Sequence, residues 1–236
     1  MVGFIKKKSG AQESINNMNT FLKKEFDSLG YITEEIVPGL LLVKDFISKQ
    51  EIDQYLDIVN ATAEETWFLL YKNNLKNFCM EKFGRDDVEN LVAEGKFEVT
   101  LGWEDKVLNV SSFDIDMVVA SRLRKAVESA DSSLELSGFG TIQRMQSGVR
   151  LVSHTDEHTD PSIKYAAVIY LNNDYNDGEI FFENKEIALK PDPGSLLLFP
   201  GNEEFKHGVN YVGDGPVRYV LPGFIKVKDF YKHNRY

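Results

Sequence analysis

Helical-period stripes occupy the first half of the chain and short apolar runs the second. Pro38 opens PGLLLVKDFI, a near-continuous apolar run suited to a buried strand. It stops at Ser48-Lys49-Gln50-Glu51, a capping-box pattern in which Ser48 and Glu51 each satisfy a free N–H at a helix start. Ile52, Tyr55, Leu56 and Val59 follow at helical spacing and predict a helix from about Ser48 to Asn60. A second amphipathic helix is predicted over about 114–130, where Ile115, Val119, Leu123 and Val127 share one face. Between them, residues 61–100 read as helical and irregular by turns, with the acidic stretch EKFGRDDVENLVAEG near the middle. Residues 1–30 are polar and lysine-punctuated; they read as a partly mobile arm, with a solvated lysine tail and a short helical piece around Phe21 to Phe26.

From Gly138 the texture changes. GFGTIQRMQ, VRLVSH, KYAAVIYLNN, GEIFFEN, KEIALK, SLLLFPG and VRYVLPGFIKV are short strand-like runs, separated by SG, NDYNDG, ENK, PDPG and GDGP. Many short strands at close spacing predict a sandwich, barrel or jelly roll. The fold class expected is therefore α+β, mainly β, with N-terminal helices bracing one sheet. There is no internal repeat and no Pro/Gly/Ser-rich linker. Residues 31–236 are expected to form one domain, helix-rich over 31–137 with a β core over about 138–228.

Composition narrows the function classes. At 42% hydrophobic and 27% charged residues, the chain can build a packed core. A net charge of -10 disfavours a general nucleic-acid or anionic-membrane binder, because phosphate contact relies on Lys and Arg. No apolar run reaches membrane-spanning length, and MVGFIKKKSG has no apolar segment of a secretory signal after its lysines. The single cysteine, Cys79, excludes an internal disulfide and fits a reducing compartment, so the cytoplasm is the expected location.

Candidate chemistry gathers in SHTDEHTD, residues 153–160, where His154-Thr155-Asp156 is followed by His158-Thr159-Asp160. A histidine and an aspartate two residues apart can hold one metal ion. Two histidines and one carboxylate on one face leave three coordination positions open, the arrangement that suits non-haem Fe(II). The chain has four histidines, and the further one near a candidate site is His207; His233 lies in a polar tail. On residue types alone, either His-x-Asp pair could serve, or neither.

The order of motifs carries a family resemblance. Gly148 precedes the first His-x-Asp in QSGVRLVSHTD, and VIYLNND, GEIFF, PDPGSLLLFPG, HGVNYV and GDGPVRYVLPGF follow. His207 comes 51 residues after Asp156, and Arg218 comes 11 after His207. This series resembles the prolyl-4-hydroxylase-like branch of the 2-oxoglutarate- and Fe(II)-dependent dioxygenases, as does the strand-then-helix opening PGLLLVKDFISKQEIDQYL. The resemblance implies a double-stranded β-helix, the jelly roll of that family. It also selects between the two pairs. The family's glycine stands five or six residues before the ligand histidine, and Gly148 is six before His154. His154, Asp156 and His207 are thus the implied metal ligands and catalytic centre, with His158 in the loop that follows.

The same resemblance implies Fe(II), 2-oxoglutarate as co-substrate and O2, and allows ascorbate as an accessory. Arg218 would bind the distal carboxylate through its planar fork, and Tyr170 of the YLN strand would add a hydroxyl. Two departures stand out. Relatives often carry a tyrosine where Met145 stands, so that polar contact to the co-substrate is either missing or replaced by Gln143 or Arg144. A tryptophan often ends the last strand in relatives, and here Phe224 follows Pro222-Gly223. Phe224 also holds the position six after Arg218 where the nucleic-acid demethylase branch usually places a second arginine, which speaks against that branch. The implied reaction hydroxylates an unactivated C–H bond while 2-oxoglutarate is decarboxylated to succinate and CO2. Peptidyl proline leads as substrate, ahead of free amino acids and other small molecules. The competing readings are a metal-binding jelly-roll module without turnover and a zinc hydrolase; Arg218 has no role in the latter.

Overall fold

The computed structural model describes residues 9–69, 107–111 and 113–233. Most of the irregular segment expected at 61–100, Cys79 and the N-terminal lysine cluster lie outside the described residues, as does the side chain of His233.

The strand-like runs of the second half all form strands, arranged in two sheets. Strand β1 (Ile32–Val37) and β2 (Leu40–Lys44) pair at one edge of the larger sheet. Its order continues through β11 (Leu196–Pro200), β8 (Ile163–Tyr170), β13 (Arg218–Val227), β6 (Thr141–Met145), β4 (Leu108–Ser111) and β3 (Phe68–Leu69), with β5 (Leu134–Gly138) also on β13. The smaller sheet runs β10 (Ile187–Leu189), β9 (Ile180–Phe182), β12 (His207–Val209) and β7 (Leu151–His154). Two facing sheets, neither closed into a barrel, make the expected jelly roll.

Side-chain alternation along the strands divides the core in two. On β8, Ala166 and Tyr170 face the smaller sheet and meet Ile180 and Phe182, together with Leu40, Leu197, Phe199 and Val220. The intervening Tyr165, Ala167 and Ile169 face the helices, with Leu41, Val43, Leu196, Leu198, Leu221 and Ile225. Pro222 sits inside β13 without breaking a ladder. β6 pairs with Arg218–Val220 and β5 pairs with Gly223–Val227, so Pro222 falls in the gap between them where no N–H is needed on that side.

Three long helices cover the outer face of the larger sheet: α1 (Ser9–Ser28), α2 (Lys49–Ala61) and α3 (Phe113–Ala130). Helix α3 buries Val119, Leu123 and Val127, the face its periodicity predicts. Helix α1 differs from expectation. Instead of a short helical piece around Phe21 to Phe26, residues 9–28 form one helix, and Met18, Leu22 and Phe26 enter the core. Their four-residue spacing is the reason: it builds one apolar stripe along an otherwise polar helix.

The capping box of α2 is present. Ser48 Oγ accepts from the Glu51 backbone N–H at 3.3 Å, and the Ser48 N–H donates to Glu51 Oε2 at 2.8 Å. Arg122 of α3 also pairs with Glu51 and donates to the Phe46 carbonyl at 3.0 Å, so one carboxylate ties the β2–α2 corner to α3. Desolvation pushes the Glu51 pKa up, but hydrogen bonds from Arg122 and Ser48 outweigh it and hold the group below its usual 4.5. A depressed carboxylate pKa contributes stability above its unfolded value that is lost as pH falls through the folded value. Glu51→Ala is therefore expected to cost about 1–2 kcal/mol at neutral pH in urea unfolding, and the cost should shrink below about pH 4.

Candidate active site

His154 ends β7, and His207 opens β12 directly opposite, in antiparallel register. Between that pair and Leu151–Val209 the ladder shifts by one residue, a β-bulge on the β7 side next to the histidines. Gly148, at φ +78, turns the chain into this strand in a conformation that favours glycine. Asp156 follows two residues after His154, at the start of the single helical turn α4 (Asp156–Thr159).

These three side chains converge. His154 Nε2 lies 3.9 Å from Asp156 Oδ1, and His207 Nε2 lies 3.9 Å from Asp156 Oδ2. One ligand atom from each residue falls within 4.8 Å of the others. Metal bonds of about 2.0–2.2 Å can meet inside such a triangle. The ring orientation is also fixed. His154 Nδ1 donates to the Val152 carbonyl at 2.8 Å, and His207 Nδ1 donates to the Phe205 carbonyl at 3.0 Å. A carbonyl can only accept, so each ring carries a proton on Nδ1, and both Nε2 atoms are turned toward the aspartate.

Electrostatics favour a cation at this point. Asp156 is buried, and desolvation raises its pKa to about 6 although His154 nearby lowers it. Its Oδ2 has no hydrogen-bond partner. Burial pushes His207 down to about 3, with His154 adding to the shift, so its imidazole is neutral. Phe199 and Phe182 pack against His207 at ring separations of 4.6 and 5.9 Å and keep water from that side. Two imidazoles with their Nε2 atoms turned inward and a buried carboxylate whose Oδ2 lacks a partner fit a divalent metal such as iron.

The second His-x-Asp pair is used differently. His158 is exposed and shares a hydrogen bond with Thr155 Oγ1 at 3.0 Å. Asp160 accepts from Ser162 N and Oγ at 2.9 and 2.6 Å, from Lys226 at 2.9 Å and from Tyr231 at 2.5 Å. These donors outweigh desolvation and hold its pKa far below the usual carboxylate range. Asp160 pins the loop that carries Asp156 to the end of β13 and to the C-terminal turn α5 (Phe230–His233). It has little accepting capacity left for a metal.

Arg218 begins β13 on the face turned toward the smaller sheet and is 2% exposed. Its Nη1 donates to Met145 Sδ at 3.6 Å, a weak acceptor, and its Nε has no partner. The guanidinium lies 5.4 Å from the Tyr170 ring centre and 5.9 Å from that of Tyr175. Both tyrosine hydroxyls are buried and unpartnered. Desolvation raises both phenol pKa values, against a smaller lowering by Arg218. A buried cation beside two free hydroxyls is a cradle for an anion. Tyr175 was not among the residues expected here, since NDYNDG reads as turn material and gives no sign that its tyrosine points inward.

Of the two replacements considered beside Met145, the sheet register separates them. Gln143 pairs with Val220 and shares its inward face. Arg144 faces the other way: its guanidinium stacks 4.2 Å from the Trp67 ring and pairs with Glu64. The expectation that Arg144 could contact the co-substrate is corrected by this pleat.

Two histidines and one carboxylate at the strand ends of a two-sheet jelly roll form an arrangement that suits non-haem iron. Residues 140–226, which hold the triad and Arg218, match the model of the 2OG-Fe(II) oxygenase superfamily. The fold is similar to that of a Pseudomonas putida prolyl-4-hydroxylase, at 16% identity and a TM-score of 0.52 over 88% of this chain and 99% of that one. It is also similar to a viral collagen prolyl hydroxylase from Paramecium Bursaria Chlorella virus-1, solved as a 2OG complex, at 14% identity and a TM-score of 0.50 over 80% of this chain and 95% of that one. No curated protein sequence matches the chain. The matched segment thus supports an oxidoreductase of the oxygenase type, with Fe(II) and 2-oxoglutarate as the cofactor and co-substrate that go with it. Among the described residues, no helix is long and apolar enough to cross a membrane.

Proposed function

We propose that this protein is a 2-oxoglutarate- and Fe(II)-dependent hydroxylase in which His154, Asp156 and His207 hold the iron. The observation that carries the proposal is the convergence of two Nε2 atoms on the buried Asp156 carboxylate, each 3.9 Å from one of its two oxygens, with Oδ2 lacking any hydrogen-bond partner. Bound Fe(II) supplies the oxygen chemistry, in which O2 oxidises 2-oxoglutarate to succinate and CO2 and the second oxygen atom enters a C–H bond of the substrate.

The chain's own residues bind and orient. The Val152 and Phe205 carbonyls hold the two imidazoles in the ligating tautomer. Asp156 contributes the negative charge that offsets part of the metal's. Arg218 and Tyr170 grip the distal carboxylate of 2-oxoglutarate, which gives the buried guanidinium the counter-charge it otherwise lacks. Phe182 and Phe199 exclude water beside the metal. The prolyl hydroxylases that share this fold make a prolyl peptide the first substrate to test, followed by free amino acids.

Mixing the protein anaerobically with Fe(II) and 2-oxoglutarate should produce the visible charge-transfer band of a chelated keto acid. Correctly folded protein that gives no band overturns the proposal. A band without succinate release on admitting O2, across prolyl peptides and amino acids, would instead mark a metal-binding module without turnover. Arg218→Ala should weaken 2-oxoglutarate binding about 100-fold and leave Fe(II) affinity nearly unchanged, since two charge-assisted hydrogen bonds are lost far from the metal. Equal loss of both affinities would remove Arg218 from this role.

A further inference from the structure

We infer that Tyr175 is a third donor to the distal carboxylate of the co-substrate and a determinant of selectivity for keto diacids. The inference rests on the proposed 2-oxoglutarate site and extends it to a residue that the motif series does not include.

Four observations carry it. Tyr175 is 1% exposed, and its hydroxyl has no hydrogen-bond partner. Leaving a buried hydroxyl unpaired is costly, and native structures avoid it unless a ligand completes the group. The hydroxyl shares its surroundings with two other orphans, Tyr170 Oη and Arg218 Nε, and Arg218 is near enough to both phenols to lower their pKa values. Three donors without an acceptor describe an anion site rather than a packing fault, because one two-oxygen anion can satisfy all of them.

The ring is also held firmly. Lys190 donates to the Tyr175 backbone carbonyl, and its ammonium lies 4.5 Å from the ring centre. Val149, Leu151, Val209 and Val212 pack around the same tyrosine in a small apolar cluster that also includes Met145. Tyr175 thus sits beside two cations, with Lys190 over its ring, and Arg218 favours a negative charge near its hydroxyl against the smaller opposing effects of Glu179 and Asp174. Met145, the weak acceptor that Arg218 now contacts, cannot compete with a carboxylate for the guanidinium.

The test compares two keto acids that chelate metal identically. 2-Oxoglutarate carries a distal carboxylate and pyruvate does not. Binding of each is titrated anaerobically to the Fe(II)-loaded protein through the charge-transfer band. Tyr175→Phe removes one oxygen and leaves the ring in place. It is expected to raise the 2-oxoglutarate dissociation constant about 5- to 20-fold, the loss of one hydrogen bond to a charged group, and to change pyruvate binding less than about twofold. Tyr175→Leu, which also lacks the hydroxyl, should show the same diacid-selective loss. Equal weakening of both ligands would mark a packing role and overturn the inference. An unchanged 2-oxoglutarate titration would overturn it too. Absence of any band in the native protein would instead remove the hydroxylase proposal on which the inference rests.

Discussion

His207→Ala is expected to abolish both the Fe(II)–2-oxoglutarate band and succinate formation, with the fold kept. His207 supplies one of two imidazoles in the triad, and the remaining His154–Asp156 pair offers only two ligand atoms. Among the described residues, its ring neighbours other than His154 are Phe182 and Phe199, which carry no donor atoms to take its place. The structural cost is limited. The variant leaves a cavity between two phenyl rings and frees the Phe205 carbonyl, together about 1–3 kcal/mol. Circular dichroism and thermal unfolding should therefore report a folded protein without the band. His158→Ala is the matched control, since this exposed ring shares a hydrogen bond with Thr155 and lies outside the triad, so the band should stay within about twofold. The reverse outcome, band lost on removing His158 and kept on removing His207, would move the site to the second pair.

The contrast between those two histidines shows how far residues along the chain announce the site. Only through the family resemblance does the spacing from Gly148 favour His154 over His158, and the positive φ of Gly148 explains why a glycine belongs there. The Ser48–Glu51 cap is equally legible, because capping is a local bond between residues three apart. Groups that fix the imidazoles are not legible. They are backbone carbonyls of Val152 and Phe205, and any residue type carries a carbonyl. Tyr175 escapes for a different reason. Its polar neighbours describe a turn correctly, and its burial depends on Lys190, Val209 and Val212 arriving from far along the chain. Helix α1 is a misweighing rather than a silence. Met18, Leu22 and Phe26 mark a stripe, but the surrounding polar residues dominate a reading by composition.

Gly208→Ala is expected to destabilise the protein by about 2–3 kcal/mol and to reduce the band sharply, although residue 208 touches neither metal nor co-substrate. A methyl group there would stand 2.5 Å from the Leu151 carbonyl oxygen and 2.6 Å from the Phe181 ring. The ring is a side chain and can move, but the carbonyl belongs to β7, the strand that ends in His154. Relieving the clash requires β7 and β12 to separate, and that pairing is what sets His154 opposite His207. Even a shift of about 1 Å matters at a metal centre, where ligand distances are defined within about 0.2 Å. Stability and metal binding should thus fall together, with a drop of roughly 5–10 °C in thermal midpoint for a chain of this size. Gly140→Ala provides the comparison: nothing lies within 4 Å of the added carbon, and its effect should stay within about 0.5 kcal/mol. Should Gly208→Ala match the native protein in both midpoint and band, the strand contact would not be what holds the two histidines in register.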